Sequence, residues 1–152
     1  MNQEETDIFF MREALRLARE AAEADEVPVG AVIVYEGRII GAARNRRETD
    51  KLATHHAEIV AIEEACRFHG GWRLPECTLY VTLEPCPMCA GAILAARVGR
   101  VVFGAKDATA GAMGSVLNLP RFPLGSEPEV VEGVLAAESR ALLQSFFKNR
   151  RK

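Results

Sequence analysis

Two short stretches hold the residues best able to do chemistry: "HHAE" at residues 55–58 and "EPCPMC" at residues 84–89. Cys86 and Cys89 stand three residues apart where a strand-end loop is expected to enter a helix, with Pro87 between them. Proline suits the first helical position, where its missing N–H costs nothing. The positive end of the helix dipole lowers the pKa of thiols placed there and favours the thiolate that binds metal. A Cys-x-x-Cys alone fits equally a redox pair, half of a structural zinc site or two buried thiols. His56 narrows the choice: one histidine and two cysteines supply three ligands, which leaves the fourth tetrahedral position of a zinc ion to water, the catalytic arrangement. Glu58, two residues on, can stand beside such an ion without ligating it. Zinc lowers the pKa of its water to about 7, and an adjacent carboxylate can take that proton and later pass it to a leaving group.

Spacing separates the two histidines. Only His56 has Glu58 two residues beyond it; the same offset from His55 reaches Ala57, which has no chemistry. His55 is therefore read as an exposed or capping residue at a helix entry, and His69, before a Gly pair, as a helix-end residue interacting with the last carbonyls. Cys66 and Cys77 lie eleven residues apart without metal-like spacing and read as small core hydrophobes. Glu63 and Glu64 read as a solvated helix face.

The elements that must position these groups follow from periodicity. Thr6 to about Ala24 carries Ile8, Met11, Leu15, Ala18 and Ala22 at helical spacing, with a Thr or Asp cap in front. "VPVGAVIVY" and "RIIGAA" flank "EGR" and read as two antiparallel strands around a Gly turn. Ala57 to about His69 reads as a helix stopped by "GG", "TLYVTL" as a buried strand, Pro87 to Ala96 as a helix and "RVVFGA" as a strand. A loop rich in small residues and proline covers Lys106 to Glu127, "EVVEGV" forms a last strand, and a closing helix starts at Leu135. Strands alternating with helices imply a three-layer α/β/α sandwich around a mixed five-stranded sheet.

The chain of 152 residues fits one domain, 1–152, with 49% hydrophobic and 26% charged residues and neither repeat nor low-complexity tract. Its longest apolar runs fall far short of the roughly 20 residues that span a bilayer. The polar, acidic start "MNQEETD" lacks the features of a signal peptide, so a cytoplasmic protein without membrane attachment is expected. The net charge of −2 hides a split: residues 1–26 carry −5 and the rest +3. Arg44, Arg46 and Arg47 cluster, and the chain ends "KNRRK", so a local basic surface or a solvated, solubilising tail are both compatible with the charges.

H-x-E with P-C-x-x-C is a signature of zinc deaminases acting on nucleobases. Together with "VPVGAVIV", "HAEIVAI", "TLYVTLEPCPMCAGAI", "RVVFGAKDATAGAMGS" and "LLQSFFKNRR", it makes the chain resemble the bacterial tRNA-specific adenosine deaminases from about Asp7 to Arg151. The short motifs are shared by cytidine, cytosine, guanine and dCMP deaminases; the "GAKDATAGAMGS" loop and the aromatic, basic tail point to tRNA. The resemblance implies one Zn2+ per chain on His56, Cys86 and Cys89, with Glu58 as the proton shuttle. It also implies that Asn45 bonds the target base, that Lys106 and Asp107 meet the nucleotide's backbone or ribose, and that Pro28, Val29 and Leu83 line the pocket. The tail would add phosphate contacts from Arg150 and Arg151 and stacking by Phe146 or Phe147, one of the pair packing instead into the core. The expected partners are a tRNA anticodon stem-loop, that of an arginine tRNA, and a second copy in a homodimer.

One stretch departs from that pattern. Where family members commonly carry Asp-Pro-Thr-Ala before the zinc histidine, this chain has "LATH", which puts the shape of that loop in question more than the catalysis. Deamination of a free base or nucleotide, of guanine or cytosine type, is the alternative reading. A noncatalytic zinc or RNA-binding module is a third, which Glu58 disfavours because structure alone does not require it.

Overall fold

The computed structural model describes residues 1–150. Its sheet has five strands, β1 (Gly30–Tyr35), β2 (Arg38–Arg44), β3 (Cys77–Leu83), β4 (Arg100–Ala105) and β5 (Glu129–Val131), in the spatial order β2-β1-β3-β4-β5. β1 pairs antiparallel with both β2 and β3, whereas β4 pairs parallel with β3 and β5, so the sheet is mixed as expected. Glu36 and Gly37, both at positive φ, make the two-residue turn between β1 and β2, the backbone a tight hairpin demands.

Alternation along the strands supplies a core on each face. Val32, Val34, Tyr80 and Val102 meet Phe10, Met11, Ala14 and Leu15 of α1 (Gln3–Glu23). Ala31, Ile33, Leu79, Val81, Val101 and Phe103 meet Ala61 and Ala65 of α3 (Ala57–His69) and Ile93 of α4 (Pro87–Ala95). A short α2 (Arg47–Asp50) precedes α3, and α5 (Ala136–Arg150) packs beside α1 and β4. Glycine sets the separation of the layers at two points. A Cβ on Gly30 would fall 2.0 Å from the Ala14 carbonyl oxygen of α1, and one on Gly41 would fall 2.3 Å from the Ala61 oxygen of α3.

Several boundaries differ from the sequence reading. α1 begins at Gln3, because Asn2 accepts from the Glu5 N–H while the Glu5 carboxylate accepts from the Asn2 N–H, a reciprocal cap that displaces the expected Thr or Asp. β1 starts at Gly30, three residues later than the apolar run suggests, and β5 pairs only over Glu129–Val131. α2 and a single 3-10 turn at Leu119–Arg121 are too short to write a period into the sequence, so neither is foreseen. Gly70, at φ 76°, ends α3 as expected. No helix among the described residues is long and apolar enough to cross a membrane.

Candidate active site

Two helix starts converge beyond the end of β3. His56 is the N-cap residue of α3 and Cys86 that of α4, each with extended backbone and neither side chain spent on a capping hydrogen bond. An N-cap residue ordinarily bonds the first turn with a short oxygen-bearing side chain. Here both side chains turn outward, toward each other. Pro87 occupies the first turn of α4, and Cys89, one turn in, is fully buried.

The ligand-capable atoms of His56, Cys86 and Cys89 lie within 4.8 Å of one another. The Nδ1 of His56 is 3.7 Å from the Cys86 sulfur and 3.6 Å from that of Cys89. Zinc binds sulfur at about 2.3 Å and imidazole nitrogen at about 2.0–2.1 Å, so a tetrahedral ion requires nitrogen and sulfur about 3.6 Å apart. The three side chains therefore fit zinc in spacing as well as in chemistry. The hydrogen bond from the Cys89 thiol, reinforced by His56, brings the Cys86 thiol down to about 4, and the hydrogen bond to Cys86 raises His56 in turn.

Glu58 sits in the first turn of α3, only 4% exposed. Burial pushes its carboxyl up to about 7, so it can both hold and release a proton near neutrality. It opens on a cavity of about 770 Å³ that His56, Ala57 and Cys86 floor. Val29, Leu83, Asn45, Arg47, Asp107, Phe146, Phe147 and Arg150 contribute to its walls and rim. That volume lies within the range of small-molecule sites, about 300–1,000 Å³.

The implied substrate contacts divide. Asn45, 8% exposed, faces the cavity, but its amide also has structural partners: Nδ2 donates to the Val27 carbonyl and Oδ1 accepts the Arg47 N–H. Asp107 lines the rim with one oxygen bonded to Thr109 and to the Ala110 N–H, the turn-capping arrangement. Val29 and Leu83 form wall, as expected, whereas Pro28 is buried behind it and is no part of the lining. Lys106 does not line the cavity either: it is exposed and pairs with Glu132 at 3.5 Å, drawn to the charge across the β4 end. Arg150 pairs with Asp25 and lies over the Phe146 ring, 4.4 Å from its centroid. Neither tail phenylalanine is core: Phe146 is half-buried in the wall and Phe147 is 45% exposed, since the end of α5 overhangs the cavity rather than the sheet. Arg151 lies outside the described residues.

His55 is neither exposed nor a cap. Its Nδ1 sits 2.8 Å from an Asp50 oxygen, and Asp50 also accepts three hydrogen bonds from Arg46, so the "LATH" segment is tied to α2. His69 packs edge-on against Tyr35 instead of bonding helix carbonyls. Cys77 is buried and Cys66 half-buried against the core, in keeping with their apolar reading.

Sequence reasoning missed Glu26 and Glu84, two buried acids in the cavity wall. Glu26 accepts from the Glu48 and Thr49 N–H groups and from the Thr49 hydroxyl. The one available signal was an acid directly beside an apolar run, as in "EVPVG" and "TLEPC".

The MafB19-like deaminase family matches residues 4–151 of the chain. Over 149 residues the chain is 50% identical to the tRNA-specific adenosine deaminase of Bacillus subtilis (strain 168), covering 96% of this chain and 91% of that protein. A solved structure from work on A-to-I editing by tRNA:A34 deaminases at the wobble position of transfer RNA superposes with a TM-score of 0.87 at 46% identity. It covers 89% of this chain and 99% of that one. A guanine deaminase structure from Bacillus subtilis is 42% identical with a TM-score of 0.63, over 70% of this chain and 66% of that one.

Proposed function

The chain belongs to the MafB19-like deaminase family, among the tRNA-specific adenosine deaminases, and from that premise we propose that it hydrolyses adenosine to inosine at the first anticodon position of a tRNA. The observation that carries this reading is a tetrahedral His-Cys-Cys spacing beside a buried acid, at the bottom of a cavity whose rim bears arginine and aromatic side chains. His56, Cys86 and Cys89 would hold one zinc ion, a Lewis acid with an open fourth position at which water becomes acidic near pH 7.

The chain's own residues supply the rest. Glu58 accepts a proton from the attacking water and delivers it to the departing amine. A carbon–oxygen bond forms at the ring carbon, the carbon–nitrogen bond breaks, and ammonia leaves. Burial holds Glu58 near the pKa that such two-way traffic needs. The base must leave its stack to reach this depth, and unpaired loop bases are the least costly to extrude. Val29 and Leu83 offer it an apolar wall, and Asn45 a donor and an acceptor. Arg47 and Arg150 face the phosphates, and Phe147 can stack on a neighbouring base.

The resemblance further suggests an arginine tRNA as substrate and a homodimer as the working form. Inosine formation in an arginine-tRNA anticodon stem-loop, measured beside ammonia release from free guanine, cytosine and adenine, tests the reading. Turnover on RNA alone is expected, and turnover of a free base with none on RNA would replace it by the guanine deaminase-like alternative.

A further inference from the structure

The loop after β4 wraps a negative charge. Glu84, 2% exposed, accepts the Asp107 N–H at 3.1 Å, the Met113 N–H at 3.0 Å, the Ser115 N–H at 3.1 Å and the Ser115 hydroxyl. All four donors are neutral groups of one segment, residues 107–115, converging on two carboxylate oxygens as backbone nests converge on anions. Gly111 shows how tightly the segment closes. A Cβ there would stand 2.4 Å from the Glu84 carboxyl carbon and 2.5 Å from the Asp107 carbonyl oxygen, so no larger residue fits without opening the loop. The Ala112 N–H adds a bond to the Pro85 carbonyl at 2.9 Å. Thus the "KDATAGAMGS" run is shaped as the lining of a buried carboxylate.

Asp107 and Ala110, carried by this segment, stand on the cavity rim, and two residues beyond Glu84 the same strand end delivers Cys86 to the metal site. We propose that Glu84 is a positioning residue: its carboxylate holds residues 107–115 in register with the floor, and so sets the grip on the substrate loop without entering the chemistry. This rests on the RNA-deaminase reading above. Glu84→Gln keeps size and shape but turns an amide NH2 toward N–H donors, so at least one of the four bonds becomes a donor–donor conflict.

The test compares Glu84→Gln, Ser115→Ala and the double variant with the unaltered protein, each carrying zinc, on one anticodon stem-loop. Glu84→Gln should keep one zinc per chain and raise KM for the stem-loop about tenfold, with kcat within about threefold. Ser115→Ala should give a smaller rise. The double variant should be no worse than Glu84→Gln, because both changes act through one loop. Amide hydrogen exchange across residues 107–115 should quicken in Glu84→Gln and stay unchanged in α3, a readout that needs no activity. Loss of zinc, a fall in kcat at constant KM, multiplicative effects of the two changes, or unaltered exchange would each overturn the proposal. Inosine formation by the unaltered protein is scored separately, so its absence would count against the function reading, while the exchange pattern still judges Glu84.

Discussion

The floor of the cavity and its rim are built by opposite means. On the floor, each helix start brings its chemistry within a few residues: His56 and Glu58 open α3, and Cys86 and Cys89 open α4. On the rim, Arg47, Asp107 and Ala110 sit on short or irregular segments held by carboxylates distant in sequence. Glu26 reaches across 22 and 23 residues, Glu84 across 23 to 31. A floor made of local helix geometry can be rigid whatever the substrate. A rim made of long-range hydrogen bonds can be retuned by a single side chain, so substrate choice and chemistry are separable.

The largest effect should come from the floor. Glu58→Gln is expected to cut inosine formation by roughly 100- to 10,000-fold, the range for losing a positioned acid or base, with zinc content and thermal midpoint near those of the unaltered protein. Full turnover would remove the shuttle role and revive a noncatalytic module.

A milder effect should follow at the rim. Glu26→Gln keeps the volume of the side chain but sets an amide against the Glu48 and Thr49 N–H groups. We expect KM for the stem-loop to rise by about tenfold, the range for weakening one or two hydrogen bonds to a charged group, with kcat little changed. A kcat loss equal to that of Glu58→Gln would erase the distinction between floor and rim. The rim should also show an acid limit of its own, below the pH at which the floor groups His56 and Glu58 titrate. Burial pushes the Glu26 carboxyl up, but its hydrogen bonds to Thr49 and Glu48 outweigh this and hold it below the usual value of 4.5. Its folded pKa is thus depressed, so its contribution is present above pH 4.5 and is lost as pH falls through the lower, folded value. Amide signals of residues 47–50 followed down from about pH 5 should therefore broaden or shift below pH 4.5 and hold steady above it. In Glu26→Gln the Glu48 and Thr49 amides should lose the part of that step due to Glu26, leaving only the titration of Asp50, which its bonds to Arg46 and His55 also hold below the usual 3.8.

How much of this was legible in the sequence follows the same division. The ligand set was readable because H-x-E and C-x-x-C are local spacings that a helix start turns into one cluster. The strands and long helices were readable because one face of each is buried, which writes a period into the sequence. Asn2 escaped notice because an N-cap is set by geometry at a single residue. Glu26 and Glu84 escaped because an acid buried among backbone N–H groups looks, in sequence, like any other acid. Helical spacing divides Phe146 and Phe147 between core and surface, but the end of α5 overhangs the cavity, so neither side of that helix end meets the core. Pro28 and Lys106 flank true wall residues; neighbours along a strand or at its end point to opposite sides.

Smaller effects test the edges of the comparison. Removing residues 148–152 should leave zinc in place and weaken stem-loop binding modestly, because Arg150 already spends part of its charge on Asp25. The log-log salt slope should fall by about 0.7 for each phosphate that the shortened chain no longer neutralises; an unchanged slope would make the tail a solubilising device. Smallest of all, replacing Cys66 and Cys77 together by Ala should leave the zinc content at one per chain by elemental analysis. A loss of zinc would mean the floor draws on more than its two helix starts.

Both helices that open on the floor begin without a side-chain cap, since His56 and Cys86 occupy the positions where Ser, Thr, Asp or Asn would stabilise a helix by about 0.5–2 kcal/mol. An ion gripping the two side chains joins these uncapped ends and binds only when both helices are formed, so its affinity is linked to folding. A ligand at about 1,000 times its dissociation constant adds about 4.1 kcal/mol to stability, and each kcal/mol raises the melting point of a chain this size by about 2–4 °C. Occupancy of the metal site can therefore be read from a melting curve, and chelation should soften the whole molecule as well as silence it.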